Sequence, residues 1–188
     1  MNLEKCCKKL LIEHPFYGIF LLGLSKVLDT SIETACVQKK GINCELAINP
    51  HYWNTLTDEL QVSLLLHEIY HIVFQHMFLW DSFDDKELLN IAADAEVNSY
   101  IDDLAPDWVH PSKFNLQVKQ GTKFYYENIK INGEGFNTVD DHSHWKNDFQ
   151  NCSDAEKQLI QNQINSQIKS TAEQIRKTHG TIPGELSV

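Results

Sequence analysis

Leu64-Leu65-Leu66-His67-Glu68-Ile69-Tyr70-His71-Ile72-Val73-Phe74 is the stretch on which the fold of this chain turns. It is apolar on nearly every side of a helix, and a helix of that kind is buried rather than laid on a surface. His67, Glu68 and His71 interrupt the apolar pattern. Residues four apart on a helix differ by about 40° around its axis, so His67 and His71 point the same way. Glu68 follows His67 by about 100°, beside the imidazole pair but not in line with it. Two histidines and a carboxylate in a buried helix are costly unless something pairs them. Neutral imidazoles at this spacing can share one metal ion, and zinc takes histidine nitrogen at about 2.0–2.1 Å in a tetrahedral set. A glutamate so placed can take a proton from zinc-bound water and deliver it to a leaving amine. This is the chemistry behind the His-Glu-x-x-His pattern. The alternative for the same residues is a set of hydrogen-bonded core histidines.

Working outward, Thr57-Asp58-Glu59 opens the helix, with a capping hydroxyl and two acids at its positive end. The pattern predicts a helix from about 58 to 80, a polar break at 81–85, and a second helix from about 86 to 104, before Pro106. On that second helix Ile91, Asp94, Val97, Asn98 and Ile101 fall on one face. Asp94 therefore lies in the buried stripe, where a carboxylate needs a cation, and is expected to be the third metal ligand. Glu96 falls on the opposite side and is expected to face solvent. Asn98 either hydrogen-bonds the site or is a packing amide. His76 comes nine residues after His67, about 180° away on a straight helix, and no Gly or Pro marks a break. It is expected to be structural, and Tyr70 to be core.

Elsewhere, residues 2–29 read as helix with a break at His14-Pro15. The runs 34–38 and 44–48, joined by Lys39-Lys40-Gly41, read as a β-hairpin stopped at Asn49-Pro50. Residues 105–150 are irregular, with a short helix near 122–130, and 154–179 is a polar helix ending at Gly180. Within the irregular segment, Asp140-Asp141-His142-Ser143-His144-Trp145 is a polar cluster. His142 is the candidate donor to a tetrahedral oxyanion, ahead of His144.

The 188 residues are expected to form one domain, 1–188, with an ordinary globular composition. A net charge of −10 argues against nucleic acid and against an anionic membrane surface. The apolar run 16–24 is too short to span a bilayer. Five cysteines, an odd number without Cys-x-x-Cys spacing, suit reduced thiols and a cytoplasmic location.

The chain resembles a metallopeptidase domain family found N-terminal to von Willebrand factor A-like domains in bacteria and phages. The resemblance rests on Pro15-Phe16-Tyr17-Gly18, Ile48-Asn49-Pro50, Leu66-His67-Glu68-Ile69-Tyr70-His71 with His76, and Asn90-Ile91-Ala92-Ala93-Asp94 with Asn98. Asp141-His142 with Trp145, and Gly180 with Pro183-Gly184-Glu185-Leu186, complete it. Gln75 departs from the pattern, which has a small residue there, often glycine.

The resemblance implies an α+β, zincin-like fold, mostly helical with a small β-hairpin or sheet and an active-site helix carrying HExxH. It implies one Zn2+ held by His67, His71 and Asp94, with Glu68 as base. It also implies a further domain that normally follows, where this chain stops. A peptide or protein substrate would lie along a sheet edge, for which the strand at 44–48 is the candidate. The competing expectation is a metal-stabilised binding module, without turnover, acting with a von Willebrand factor A-like domain or an ATPase partner. Two histidines and a carboxylate also suit non-haem iron, a use that the placement of Glu68 disfavours.

Overall fold

The computed structural model describes residues 2–130, 145, 148–149 and 152–186. The expected N-terminal helix is two helices followed by a strand. Helix α1 (Leu3–Glu13) starts at Asn2, whose side chain accepts the Lys5 N–H, and α2 (Pro15–Leu22) restarts at Pro15. The two meet so closely that a Cβ on Gly18 would lie 2.5 Å from Leu11 Cα.

Residues expected to continue as helix to 29 instead form strand β1 (Ser25–Leu28). Lys26 Nζ turns back to donate to the Leu21 and Leu24 carbonyls, at 2.7 and 2.8 Å, just where α2 gives way to the strand. The hairpin is present as β2 (Ala35–Lys40) and β3 (Asn43–Ile48), with Gly41 at φ +63° in its turn. The strand order is β1-β3-β2. β1 runs parallel to β3, from Ser25 opposite Glu45 to Leu28 opposite Ile48. β2 runs antiparallel, from Ala35 opposite Ile48 to Lys40 opposite Asn43. The strand at 44–48 is therefore central, paired on both sides, and cannot receive an added strand. The edges are β1 and β2.

After the short α3 (Pro50–Trp53) comes α4 (Asp58–Val73), capped by Thr57 and buried without interruption from Gln61 to Val73. α5 (Lys86–Asn98) is capped by Asp85, and α6 (Thr122–Asn128) follows a long irregular connection. α7 (Asp154–His179) begins with a Ser153–Glu156 capping box and ends at Gly180, φ +83°. α4 packs against α1, α2, α5, α7 and β2, which makes it the central element of the core. The described residues thus form an α+β fold of seven helices and one three-stranded sheet.

The expectation of helix to residue 80 fails at one position. α4 stops at Val73, Gln75 adopts the left-handed conformation (φ 59°, ψ 35°), and 3-10 turns follow at His76–Phe78 and Trp80–Ser82. Gln75 Nε2 donates to Asn165 Oδ1 on α7 at 2.8 Å, so a tertiary contact holds the break. Left-handed backbone at a non-glycine residue costs about 1–3 kcal/mol and is worst for branched side chains. Gln75→Val is expected to lower stability by about 1–3 kcal/mol. Gln75→Gly should stay close to the parent, because relieved strain offsets the lost hydrogen bond. Urea titration of the three proteins checks both.

All five cysteines are free, and burial pushes the Cys6 and Cys44 thiols up to about 12. No described helix is long and apolar enough to cross a membrane.

Candidate metal centre

Helical geometry on α4 and α5 brings three donor atoms to one point in the core. His67 Nε2 and His71 Nε2 are 2.9 Å apart. Asp94 Oδ1 lies 3.6 Å from the first and 3.4 Å from the second. All three side chains are fully buried. Among the described residues, theirs is the one cluster of three His, Cys, Asp or Glu donors close enough to share an ion. Ligands about 2.0–2.1 Å from a tetrahedral zinc ion stand about 3.3–3.4 Å from one another, so the observed separations bracket what zinc requires.

Each imidazole is held from behind. Asn98 Nδ2 donates to the Val109 carbonyl at 2.7 Å, which aims Asn98 Oδ1 at His67 Nδ1, 2.8 Å away. His67 Nδ1 therefore carries the proton, and its Nε2 presents a lone pair to the cluster. Burial pushes the His67 pKa down to about 4, against the opposing effect of the Asn98 bond. The ring is thus neutral near pH 7, the form that ligates metal.

His71 has a different support. Its Nδ1 is 2.8 Å from His76 Nδ1. His76 Nε2 is in turn 3.2 Å from Glu96 Oε2 and 3.0 Å from Thr122 Oγ1, and the Thr122 hydroxyl also donates to Glu96. Burial alone would raise the Glu96 pKa, but the hydrogen bonds from His76 and Thr122 hold it below the usual carboxylate range.

Glu68 is 1% exposed, and neither carboxylate oxygen accepts a hydrogen bond from a described residue. Burial, then the neighbouring Asp94 charge, pushes its pKa well above the carboxylate norm. A buried carboxylate left in this state beside three converging donors fits a cation and a water, which would supply the partners it lacks. Two imidazole nitrogens and one carboxylate oxygen are a donor set suited to zinc.

The structure thus brings together His67, Glu68, His71, Asp94 and Asn98. Two expectations need correction. Glu96 does not face solvent: residues 121 and 122, at the start of α6, lie over that side of α5 and enclose it. His76 is not separated from the cluster by half a helical turn, because the left-handed Gln75 folds it back against His71. The signal available in the sequence was position 75 itself, where a small residue or glycine is the pattern. His142 and His144 lie outside the described residues. Trp145 is described: its ring packs edge-on to His71 at 5.2 Å, and its indole N–H donates to Val37 O on the outer edge of β2 at 3.2 Å. Tyr70 is core, as expected, but its hydroxyl also donates to Glu185 at 2.9 Å, and Tyr17 donates to the same carboxylate. The segment after α7 is thereby pinned to the helix that carries the cluster.

Residues 1–128 match the model of a family described as "Putative metallopeptidase domain". An uncharacterized protein of Thermotoga maritima is 31% identical over 127 residues, which cover 64% of this chain and 31% of that protein. The chain thus spans about a third of the length of this relative. No solved structure matches.

Proposed function

The chain belongs to the family so described, and on that premise we propose that it is a zincin-type peptidase in which His67, His71 and Asp94 hold one zinc ion and Glu68 is the general base. The observation that carries this reading is the convergence of His67 Nε2, His71 Nε2 and Asp94 Oδ1 at one buried point next to Glu68.

A zinc ion held there would lower the pKa of a bound water and polarise the carbonyl of a peptide bond. Glu68 sits out of line with the ligands, so its carboxylate receives the proton of the attacking water and passes it to the leaving amine. Burial and the Asp94 charge raise its pKa, the direction that favours return of the proton to the leaving amine. Asn98 keeps His67 in the ligating tautomer. Because β3 is used on both sides, strand pairing with an extended peptide would need one of the edge strands, β1 or β2. On the resemblance alone, the reading extends to a von Willebrand factor A-like domain or ATPase as partner, and buried free thiols favour the cytoplasm.

A second reading has its own support. All three donor side chains are fully buried, as in a closed site that staples a binding module. The test is metal content of protein purified without chelators, run beside hydrolysis of a fluorogenic peptide library. About one zinc per chain, with turnover that stops on chelation and returns with zinc, is the expected result. Zinc without turnover would favour the binding module, and protein free of metal would sink both.

A further inference from the structure

We propose that His76, Glu96 and Thr122 are positioning residues that lock the proton of His71 on Nδ1, so that His71 Nε2 always faces the cluster as a lone pair. This rests on the metal-site reading above, and it assigns roles to three residues outside the ligand set.

The direction of each hydrogen bond follows from counting protons. The Thr122 hydroxyl has one proton and donates it to Glu96 Oε2. Toward His76 Nε2, at 3.0 Å, Thr122 Oγ1 can then only accept. Glu96 Oε2, at 3.2 Å from the same nitrogen, accepts as well. Both partners of His76 Nε2 are acceptors, so that nitrogen carries a proton. In a neutral imidazole the other nitrogen is then an acceptor. His76 Nδ1 stands 2.8 Å from His71 Nδ1, so with a neutral His76 it is His71 Nδ1 that donates. His71 Nε2 is left without a proton, 2.9 Å from His67 Nε2 and 3.4 Å from Asp94 Oδ1.

The opposite arrangement would place a proton on His71 Nε2, aimed into the cluster, where it would block a metal. Nothing local to α4 forbids it, because an isolated imidazole adopts either tautomer. The chain forbids it through three separate elements. The left-handed Gln75 turns His76 back, α5 supplies Glu96, and the first residue of α6 supplies Thr122. His76 is 1% exposed and Thr122 is 5% exposed, so water does not substitute for these partners. His67 gets the same fixation from Asn98 and the Val109 carbonyl. Each ligating histidine thus has its own support, and Glu96 is the carboxylate that anchors the longer one.

The test reads the tautomer and the affinity separately. Long-range 1H–15N correlation on 15N-histidine-labelled, metal-free wild type is expected to show His71 as the Nδ1–H form. The zinc Kd, from competition with a chromophoric chelator, is expected to weaken about 10–100-fold in Glu96→Leu and in His76→Phe. Glu96→Gln keeps an acceptor oxygen and should recover most of the affinity together with the Nδ1–H form of His71, a readout that packing alone would not move. Melting of each metal-free variant identifies those that fold. Wild type with His71 as the Nε2–H form, or folded Glu96→Leu and His76→Phe with unchanged zinc Kd, would overturn the proposal. If wild type binds no zinc, the metal reading fails, and the tautomer pattern still decides whether the chain locks His71.

Discussion

Glu68→Gln is expected to lower kcat for peptide hydrolysis by about 10²–10⁴-fold while zinc content stays at the wild-type level, because the change removes proton transfer and leaves all ligands in place. The substitution conserves shape in a site where Glu68 is 1% exposed, so the packing of α4 should survive. Glutamine cannot accept the proton of the attacking water or return one to the leaving amine. Steady-state kinetics on the best library peptide, paired with elemental analysis, separates the two quantities. A variant that loses its zinc would contradict the assignment of Glu68 as base and make it a ligand. A variant that retains full kcat would remove it from the mechanism.

Asp94→Ala acts on the other half of the site. It deletes the single anionic donor among the three, and the two neutral imidazoles that remain do not balance the charge of the ion. Removing one of three protein ligands from a site worth about 10–16 kcal/mol should weaken zinc on the order of 10³-fold. Mass spectrometry of metal content should then fall from about one zinc per chain to a small fraction of it. The stability effect has the opposite sign without metal. In the metal-free protein Asp94 faces the buried Glu68 carboxylate, and each disfavours the charge of the other. Asp94→Asn should therefore melt no lower than wild type when both are metal-free. It should melt lower in excess zinc, where wild type alone gains from binding. A variant with a full zinc complement would exclude Asp94 as a ligand.

Much of this site is legible in the primary structure because it depends on helical periodicity. His67, Glu68 and His71 are related by 3.6 residues per turn, and so are Asp94 and Asn98. An apolar run with charged residues at those spacings says both that the helix is buried and which side chains share a direction. The hairpin was legible for a similar reason. Its strands are adjacent in sequence and joined by a turn with glycine at φ +63°. The capping residues Thr57 and Ser153, and the stop at Gly180, are local signals and fall where the residue types place them.

What escaped the sequence was decided at a distance. Strand β1 has four residues and little pattern of its own. It exists because β3 offers a parallel partner some twenty positions away, from Glu45 to Ile48, and its presence turns the candidate edge strand into the central one. The end of α4 is another case. Nothing in His71-Ile72-Val73-Phe74-Gln75-His76 forbids further helix, and glutamine is a good helix former. The break at Gln75 is held by Asn165, ninety residues on, and by the closure of His76 onto His71 and Glu96. The burial of Glu96 has the same origin. Helical periodicity places its side chain opposite Asp94, and only α6 makes that side an interior. The sequence by itself determined the α4–α5 pairing of ligand candidates, because a helix period is a property of the chain. The tertiary structure alone decided the strand order, the turn at residue 75 and the support behind His71, because each depends on which distant residue arrives to complete a hydrogen bond.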